Sequence, residues 1–235
     1  MSMTTKPTIV LVHGAFAESS SWNGVITRLR AEGYPVLAAA NPLRGLDTDA
    51  AYVASVLDTV EGPIVLAGHS YGGSVITVAA HDKPAVTALV YIAAFIPAEG
   101  ENALELTGKF PGSTLALTTV AHPLPGAAGT ELHIRQDEFP AQFAADVPAD
   151  VAATMAITQR PVALAALEQP ASVAAWRAVP AYSLVTTEDK NIPVESQRFM
   201  SERAGAHTVE VQASHAVSVS DPSAVADLIL LAAQR

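Results

Sequence analysis

Ile64-Val65-Leu66-Ala67-Gly68-His69-Ser70-Tyr71-Gly72-Gly73 is the stretch from which the rest of the chain is best read. Its apolar start has no polar alternation, as a strand covered on both faces should. The small residues from Gly72 onward suit a helix packed closely on a sheet. The chain therefore turns sharply from strand to helix at Ser70. A serine hydroxyl is a poor nucleophile unless a base removes its proton as it attacks. Such a turn holds the hydroxyl clear of the backbone, and small residues two before and two after it relieve crowding. The helix starting near Tyr71 also points backbone N–H groups at the reacting centre. A bare Gly-x-Ser-x-Gly is also an ordinary glycine turn in many proteins. Its flanking strand and helix favour the nucleophile.

Working outward, short apolar runs alternate with longer amphipathic ones, the sign of a parallel sheet flanked by helices. The expected strands are Thr8–Val12, Pro35–Ala39, Pro63–Ala67, Val86–Ala94, Ala181–Thr186 and His207–Val211. The expected helices are Ser21–Glu32, Thr48–Val60, Gly72–His81, Pro193–Ala204 and Pro222–Ala233. Gly33 suits the position just past a helix C-terminus, and Asp221 suits an N-cap ahead of Pro222. The alternation fails between Pro97 and Pro180, where short apolar helical pieces such as Val151–Ile157 and Val162–Leu167 stand among prolines. A structureless loop of that length is improbable in a compact domain. The fold class is thus α/β, with about six parallel strands. Residues 1–96 and 181–235 form the core, and residues 97–180 form an inserted helical cap.

A serine nucleophile needs a base, an acid to orient it and two N–H donors for the oxyanion. His215 has the best context of the seven histidines, because Ala213-Ser214-His215 follows the strand at Val209-Glu210-Val211 directly. His81, His122, His133 and His207 read as surface or cap residues, and His69 as the variable position inside the turn. The acid comes from Thr187-Glu188-Asp189-Lys190, after the strand ending Leu184-Val185-Thr186. Asp189 is the expected residue, with Glu188 as its neighbouring rival and Glu99 as a weaker one. For the oxyanion, Leu11-Val12-His13-Gly14-Ala15-Phe16 closes the first strand, and the backbone N–H groups of Ala15 and Tyr71 are the expected donors. Phe16 is next in line, and His13 reads as structural. The chain order is Ser70, Asp189, His215, each just beyond a strand's C-terminal end, where open α/β sheets build their sites.

Composition bounds the rest. Half of the 235 residues are apolar, 15% are charged, and the formal net charge is −10. Nucleic-acid binding calls for a basic footprint, so that partner is not expected. With no cysteine there is no disulfide, thiol nucleophile or cysteine-held metal. The histidines show no metal-ligand spacing such as His-x-x-x-His, so neither metal nor cofactor is expected. The first strand has too few apolar residues for a signal-peptide core, and Ala88–Ile96 is too short to span a bilayer. A cytoplasmic protein without membrane attachment is the expectation. Within the cap, Phe110, Leu115, Leu117, Phe139, Phe143, Met155 and Trp176 are candidates for an apolar acyl pocket. They are equally candidates for packing the cap to itself. Lys109 and Arg135 are the two cations singled out there as available to an anionic substrate.

These motifs resemble the α/β-hydrolase superfamily along nearly the whole chain. Within it they resemble the plant methylesterases and hydroxynitrile lyases with their bacterial esterase relatives. The residues that carry this are Val10-Leu11-Val12-His13-Gly14-Ala15, Gly68-His69-Ser70-Tyr71-Gly72-Gly73, Thr187-Glu188-Asp189-Lys190-Asn191-Ile192-Pro193 with Gln197-Arg198, and Ser214-His215. The resemblance implies a six-stranded parallel core, a helical cap, no cofactor, and hydrolysis of small esters by Ser70, His215 and Asp189. It favours Asp189 over Glu188. Hydroxynitrile lyases of this group carry a lysine beside the catalytic histidine, whereas Ala216-Val217 follows His215 here. A lyase would therefore lack a part. A cofactor-free perhydrolase of haloperoxidase type and a slow-turnover ligand sensor also compete with a carboxylic ester hydrolase for the same triad.

Overall fold

In the computed structural model, which describes residues 6–127 and 129–234, the unbroken apolar runs become strands of one parallel sheet. The core bounds expected at residues 1 and 235 lie outside the described residues. The chain runs through β1 (Thr8–Val12), α1 (Asn23–Ala31), β2 (Val36–Ala39), α2 (Leu46–Leu57), β3 (Ile64–His69), α3 (Tyr71–Ala79) and β4 (Val86–Ile92). An insertion follows: α4 (Ala103–Gly108), α5 (Leu115–Thr118), β5 (Thr119–Pro123), β6 (Thr130–Ile134), α6 (Phe139–Phe143), α7 (Ala149–Thr158), β7 (Val162–Ala163) and α8 (Leu164–Glu168). The chain then returns through β8 (Ala181–Thr186), α9 (Val194–Arg203), β9 (His207–Val211), α10 (Val217–Ser220) and α11 (Pro222–Ala233).

The main sheet has six strands in the order β2-β1-β3-β4-β8-β9, all parallel. Successive side chains point to opposite faces, and here both faces are covered. Ile9 and Leu11 pack with Val25 of α1 and Ile229 of α11, while Val10 and Val12 pack with Val53 of α2 and Val75 of α3. Ile9, Val10, Leu11 and Val12 are all fully buried. Burying an aliphatic side chain of this kind contributes roughly 1.5–3 kcal/mol, so β1 is pinned on two sides. Gly33 has a positive φ of 74°, and Asp221 accepts the Ala224 N–H at 3.1 Å, as their positions predict.

The strand order reverses between β1 and β3, which lie side by side with Val12 opposite Gly68. Such a reversal leaves a crevice beyond the strand ends. The insertion leaves the sheet after β4 and rejoins it at β8. It is more than helical: β5, β6 and β7 form a three-stranded antiparallel sheet that the sequence reading lacks. β5 is Thr-Val-Ala-His-Pro and largely exposed, and β7 has two residues. Neither carries an apolar pattern of its own. β5 pairs with the neighbouring β6 as a hairpin, and β7 joins β6 from a distant part of the insertion. Among the described residues, no helix is long and apolar enough to cross a membrane.

Candidate active site

Ser70 follows the buried strand β3 directly, with φ 53° and ψ −124°, a left-handed conformation that side-chain-bearing residues rarely adopt. Its N–H donates to the Ile92 carbonyl (3.2 Å), and its carbonyl accepts from Gly73 N (2.9 Å) and Phe95 N (3.2 Å). The strand end is packed too tightly for side chains. A Cβ on Gly14 would stand 2.6 Å from Ser70 Cβ, and one on Gly72 would stand 2.5 Å from the Val12 carbonyl oxygen. These glycines are there for close approach, which lets the ends of β1 and β3 meet around the hydroxyl.

The structure brings Ser70, His215 and Asp189 into one line of hydrogen bonds. Ser70 Oγ is 2.8 Å from His215 Nε2, and His215 Nδ1 is 2.6 Å from Asp189 Oδ2. An ionised carboxylate only accepts, so the His215 proton sits on Nδ1 and Nε2 is left to accept from the serine. The loops that carry the two groups are joined: Thr187 N–H donates to the Val211 carbonyl at 3.0 Å, and Glu188 N–H to Ala213 at 3.1 Å. Asp189 is buried, and five donors converge on it. Asn191 N (2.7 Å) and Ile192 N (3.0 Å) bind Oδ1, while Thr186 Oγ1 (3.0 Å), Gln197 Nε2 (3.0 Å) and His215 Nδ1 bind Oδ2. A buried charge needs this degree of satisfaction. Glu188 points elsewhere and accepts from Gln212 Nε2 at 2.7 Å, and Glu99 is exposed.

For the oxyanion donors, Ala15, Phe16 and Tyr71 all line the cavity beside Ser70. The Phe16 N–H is committed to the Arg160 carbonyl at 3.0 Å, which leaves Ala15 and Tyr71 as the better-placed pair. The Tyr71 side chain points away to a buried carboxylate, its hydroxyl donating to Asp49 Oδ2 at 2.8 Å. Burial, then the Asp49 charge, pushes the Tyr71 phenol up, so it remains a donor. Burial likewise raises the Asp49 carboxyl. Asp49 was missed in the sequence, although it lies among Leu46, Ala50, Val53 and Leu57 on the buried stripe of α2. An acid at that spacing is the signal that reveals it.

Two further histidines support the turn. His69 is buried behind His215, and its Nε2–H donates to the His215 carbonyl at 2.8 Å. Burial, and then the neighbouring His215, push its pKa well below the ordinary value, so it is neutral. His13 is pushed down to about 4 by burial, and its Nδ1–H donates to the Gly14 carbonyl at 2.9 Å. Among the remaining histidines, His81 and His207 are exposed, and His122 and His133 meet edge to face between β5 and β6.

The hydroxyl opens into a cavity of about 390 Å³ between the strand ends and the insertion. Phe95, Leu104, Phe110, Leu115, Leu132 and Leu167 line it, and among the described residues no Lys, Arg, Asp or Glu does. Of the seven cap residues singled out in the sequence, Phe110 and Leu115 are in the lining. Leu117 is 74% exposed, and Phe139 and Phe143 stack on each other in the core. Met155 lines a separate cleft beyond Phe16, and Trp176 donates to the Pro97 carbonyl at 2.8 Å. Lys109 lies over the Phe199 ring and Arg135 holds the Leu117 carbonyl, so both cations are engaged outside the cavity. Among the described residues, no group of three or more His, Asp or Glu side chains is placed to hold a metal ion.

A family model described as alpha/beta hydrolase matches residues 9–228. The probable hydrolase R7 of a Phoma species is 26% identical over 246 residues, covering 96% of this chain and 97% of that protein. The pyrethroid hydrolase of Sphingobium wenxiniae is 27% identical over 241 residues, covering 94% and 85%. The carbendazim hydrolyzing esterase of a Nocardioides species is 34% identical over 113 residues, covering 43% and 47%. Among solved structures, polyneuridine aldehyde esterase has the same fold, with a TM-score of 0.83 at 20% identity over 96% of this chain and 98% of that one. With the sheet order, the insertion after β4 and the match over residues 9–228, the chain belongs to the alpha/beta hydrolase family.

Proposed function

We propose that this enzyme cleaves small, largely apolar carboxylic esters through an acyl-enzyme on Ser70, with His215 as base and Asp189 as its orienting acid. The observation that carries the reading is the Ser70–His215–Asp189 hydrogen-bond line at the wall of an uncharged cavity. As Ser70 Oγ attacks the ester carbonyl carbon, His215 Nε2 takes the hydroxyl proton. The carbonyl oxygen becomes an oxyanion, held by the N–H groups of Ala15 and Tyr71, each such donor being worth about 3 kcal/mol to the transition state. Collapse breaks the bond to the alkoxy group, which leaves as the alcohol with the proton from Nε2. Water then attacks the acyl-enzyme through the same base and releases the carboxylic acid and Ser70. Asp189 stabilises the imidazolium formed in both steps. Every proton moves between the chain's own groups, the ester and water, so the reaction uses no cofactor.

Residues 97–180 act in this reading as the cap that shapes the cavity, mainly through Leu104, Phe110, Leu115 and Leu132. A lining without charge favours apolar acyl and alcohol groups over anionic ones. The segment Ala216-Val217 beside His215 is buried and carries no lysine, which argues against lyase chemistry that needs a charge there. The test is covalent labelling with a fluorophosphonate, followed by peptide mass mapping and p-nitrophenyl butyrate turnover. The expected result is one adduct, on Ser70, with turnover lost in step. Full turnover by the labelled protein would overturn it. In a substrate panel, p-nitrophenyl butyrate should exceed the hemisuccinate ester in kcat/KM by about tenfold or more. Equal rates would contradict the apolar assignment.

A further inference from the structure

The insertion reaches past the cavity and takes hold of the loops that carry both His215 and Asp189. Its short helix α6 and the residues just after it make most of these contacts, and the Thr114 N–H adds one to the Lys190 carbonyl at 3.0 Å. On the base side, Ser214 immediately precedes His215 and is buried. Its N–H donates to Asp146 Oδ2 at 3.0 Å, and its hydroxyl donates to Asp146 Oδ1, with the Phe143 carbonyl a further acceptor at 3.3 Å. The same Ser214 oxygen accepts the Ala216 N–H at 3.2 Å, so bonds from one serine span the backbone on either side of His215. The Phe143 ring stands edge-on to the His215 ring at 4.8 Å. Burial works to raise the Asp146 carboxyl, but the Ser214 hydroxyl and N–H outweigh it and hold the group below the usual carboxylate range. It is therefore a charged acceptor at neutral pH.

On the acid side, Gln142 of α6 is buried. Its Nε2 donates to the Lys190 carbonyl (2.9 Å) and to Asn191 Oδ1 (2.8 Å), just beyond Asp189. Thr114 Oγ1 donates to Gln142 Oε1 at 2.8 Å and fixes which way the amide faces. Asn191 N–H in turn is a donor to Asp189. Thus Gln142 grips the acid loop and Asp146 grips the base loop, four residues apart on one segment of the insertion.

We propose that Gln142 and Asp146 are positioning residues, through which the insertion sets the separation and alignment of Asp189 and His215. The proposal rests on the serine-hydrolase reading and extends it, since neither residue touches the cavity or the reacting atoms. Its consequence is that the insertion shapes the rate of chemistry as well as the fit of substrate. Loosening either grip lets the imidazole swing off the Ser70 line without altering the apolar lining.

The test uses the full chain with p-nitrophenyl butyrate, in the variants Asp146→Ala, Gln142→Ala and both together, with Asp146→Glu as the conservative replacement. Active sites are counted by fluorophosphonate titration, so that misfolded protein is not scored as slow enzyme. The low-field proton NMR signal of His215 Nδ1–H is followed alongside. The expected result is a fall in kcat per active site of about tenfold for each alanine variant, with KM within about twofold. The low-field signal should broaden or move upfield, and Asp146→Glu should recover part of the rate. A kcat per site within twofold of wild type and an unmoved low-field signal in both alanine variants would overturn the proposal. Failure of the underlying reading looks different: Ser70→Ala would then keep the activity, whatever happened at Gln142 and Asp146.

Discussion

Ser70 at φ 53° occupies a conformation that costs on the order of 1–3 kcal/mol, and the surrounding strand ends hold it there. Gly73 is one of the residues that permits this, because a Cβ on it would lie 2.3 Å from the Phe95 carbonyl oxygen, a backbone atom that cannot swing aside. Gly73→Ala is therefore expected to destabilise the fold by about 3 kcal/mol, as overpacking in a rigid site does. Its urea midpoint reads this directly, and an unchanged midpoint would contradict it. At the acid, Asp189→Asn keeps the shape but can no longer act as a pure acceptor for Nδ1–H. A kcat loss of about 10³- to 10⁴-fold is expected, as when the wrong histidine tautomer is selected. Glu188→Gln, whose side chain faces Gln212, should stay within twofold. Steady-state kinetics on the two variants decide between the acids. The hydrogen-bonded grouping of Ser70, His215 and Asp189 could be anticipated from the sequence because each lies within a few residues of the end of an expected strand. Asp146 was not, because its partner Ser214 lies 68 residues away and nothing local marks it.

The inner strands of the main sheet could be read with their bounds nearly intact, since a strand covered on both faces leaves an unbroken apolar run, whereas β9 at the sheet edge is His-Thr-Val-Glu-Val and largely exposed. β3 runs two residues further than expected, into Gly68 and His69, because its ladder with β4 continues to Ile92. The insertion was less legible. Its helix at Val151–Ile157 is present as α7, whereas Val162–Leu167 splits into the two-residue β7 and α8. Val162, β-branched and suited to a strand, pairs instead with Leu132 of β6, a tertiary contact that the local pattern does not show. The insertion's two ends are tied by the Trp176 Nε1–H bond to the Pro97 carbonyl. Trp176→Phe removes that donor and leaves a buried carbonyl without it. A loss of about 1–2 kcal/mol in urea unfolding is expected, with kcat per active site unchanged. A midpoint equal to wild type would show that the strap carries no stability.

Across the whole molecule, two histidines are buried neutral at the heart of the site. The folded-state pKa of His13 lies at about 4, against an unfolded value of 6.5, and His69 is shifted in the same direction. Between these values the unfolded chain binds more protons than the folded one, so stability falls as pH drops below 6.5. His13 alone should cost about 2 kcal/mol at pH 5 and about 3 kcal/mol once its folded pKa is passed. Asp49, with its carboxyl raised by burial, works in the opposite direction as it becomes protonated in the fold. Urea unfolding at pH 7 and pH 5 should show the net loss, and His13→Asn should have a shallower pH slope. Equal slopes would mean that His13 takes up its proton within the fold. Sequence pattern revealed the order of the groups along the chain, but their convergence depends on the sheet order that sets β1, β3, β8 and β9 side by side or nearly so. The most direct test of that convergence is the hydrolysis of p-nitrophenyl butyrate by Ser70→Ala, with its fold checked by urea midpoint. A loss in kcat/KM of roughly 10³-fold or more, at an unchanged midpoint, is predicted. Activity within tenfold of wild type would contradict the assignment of Ser70 as the nucleophile.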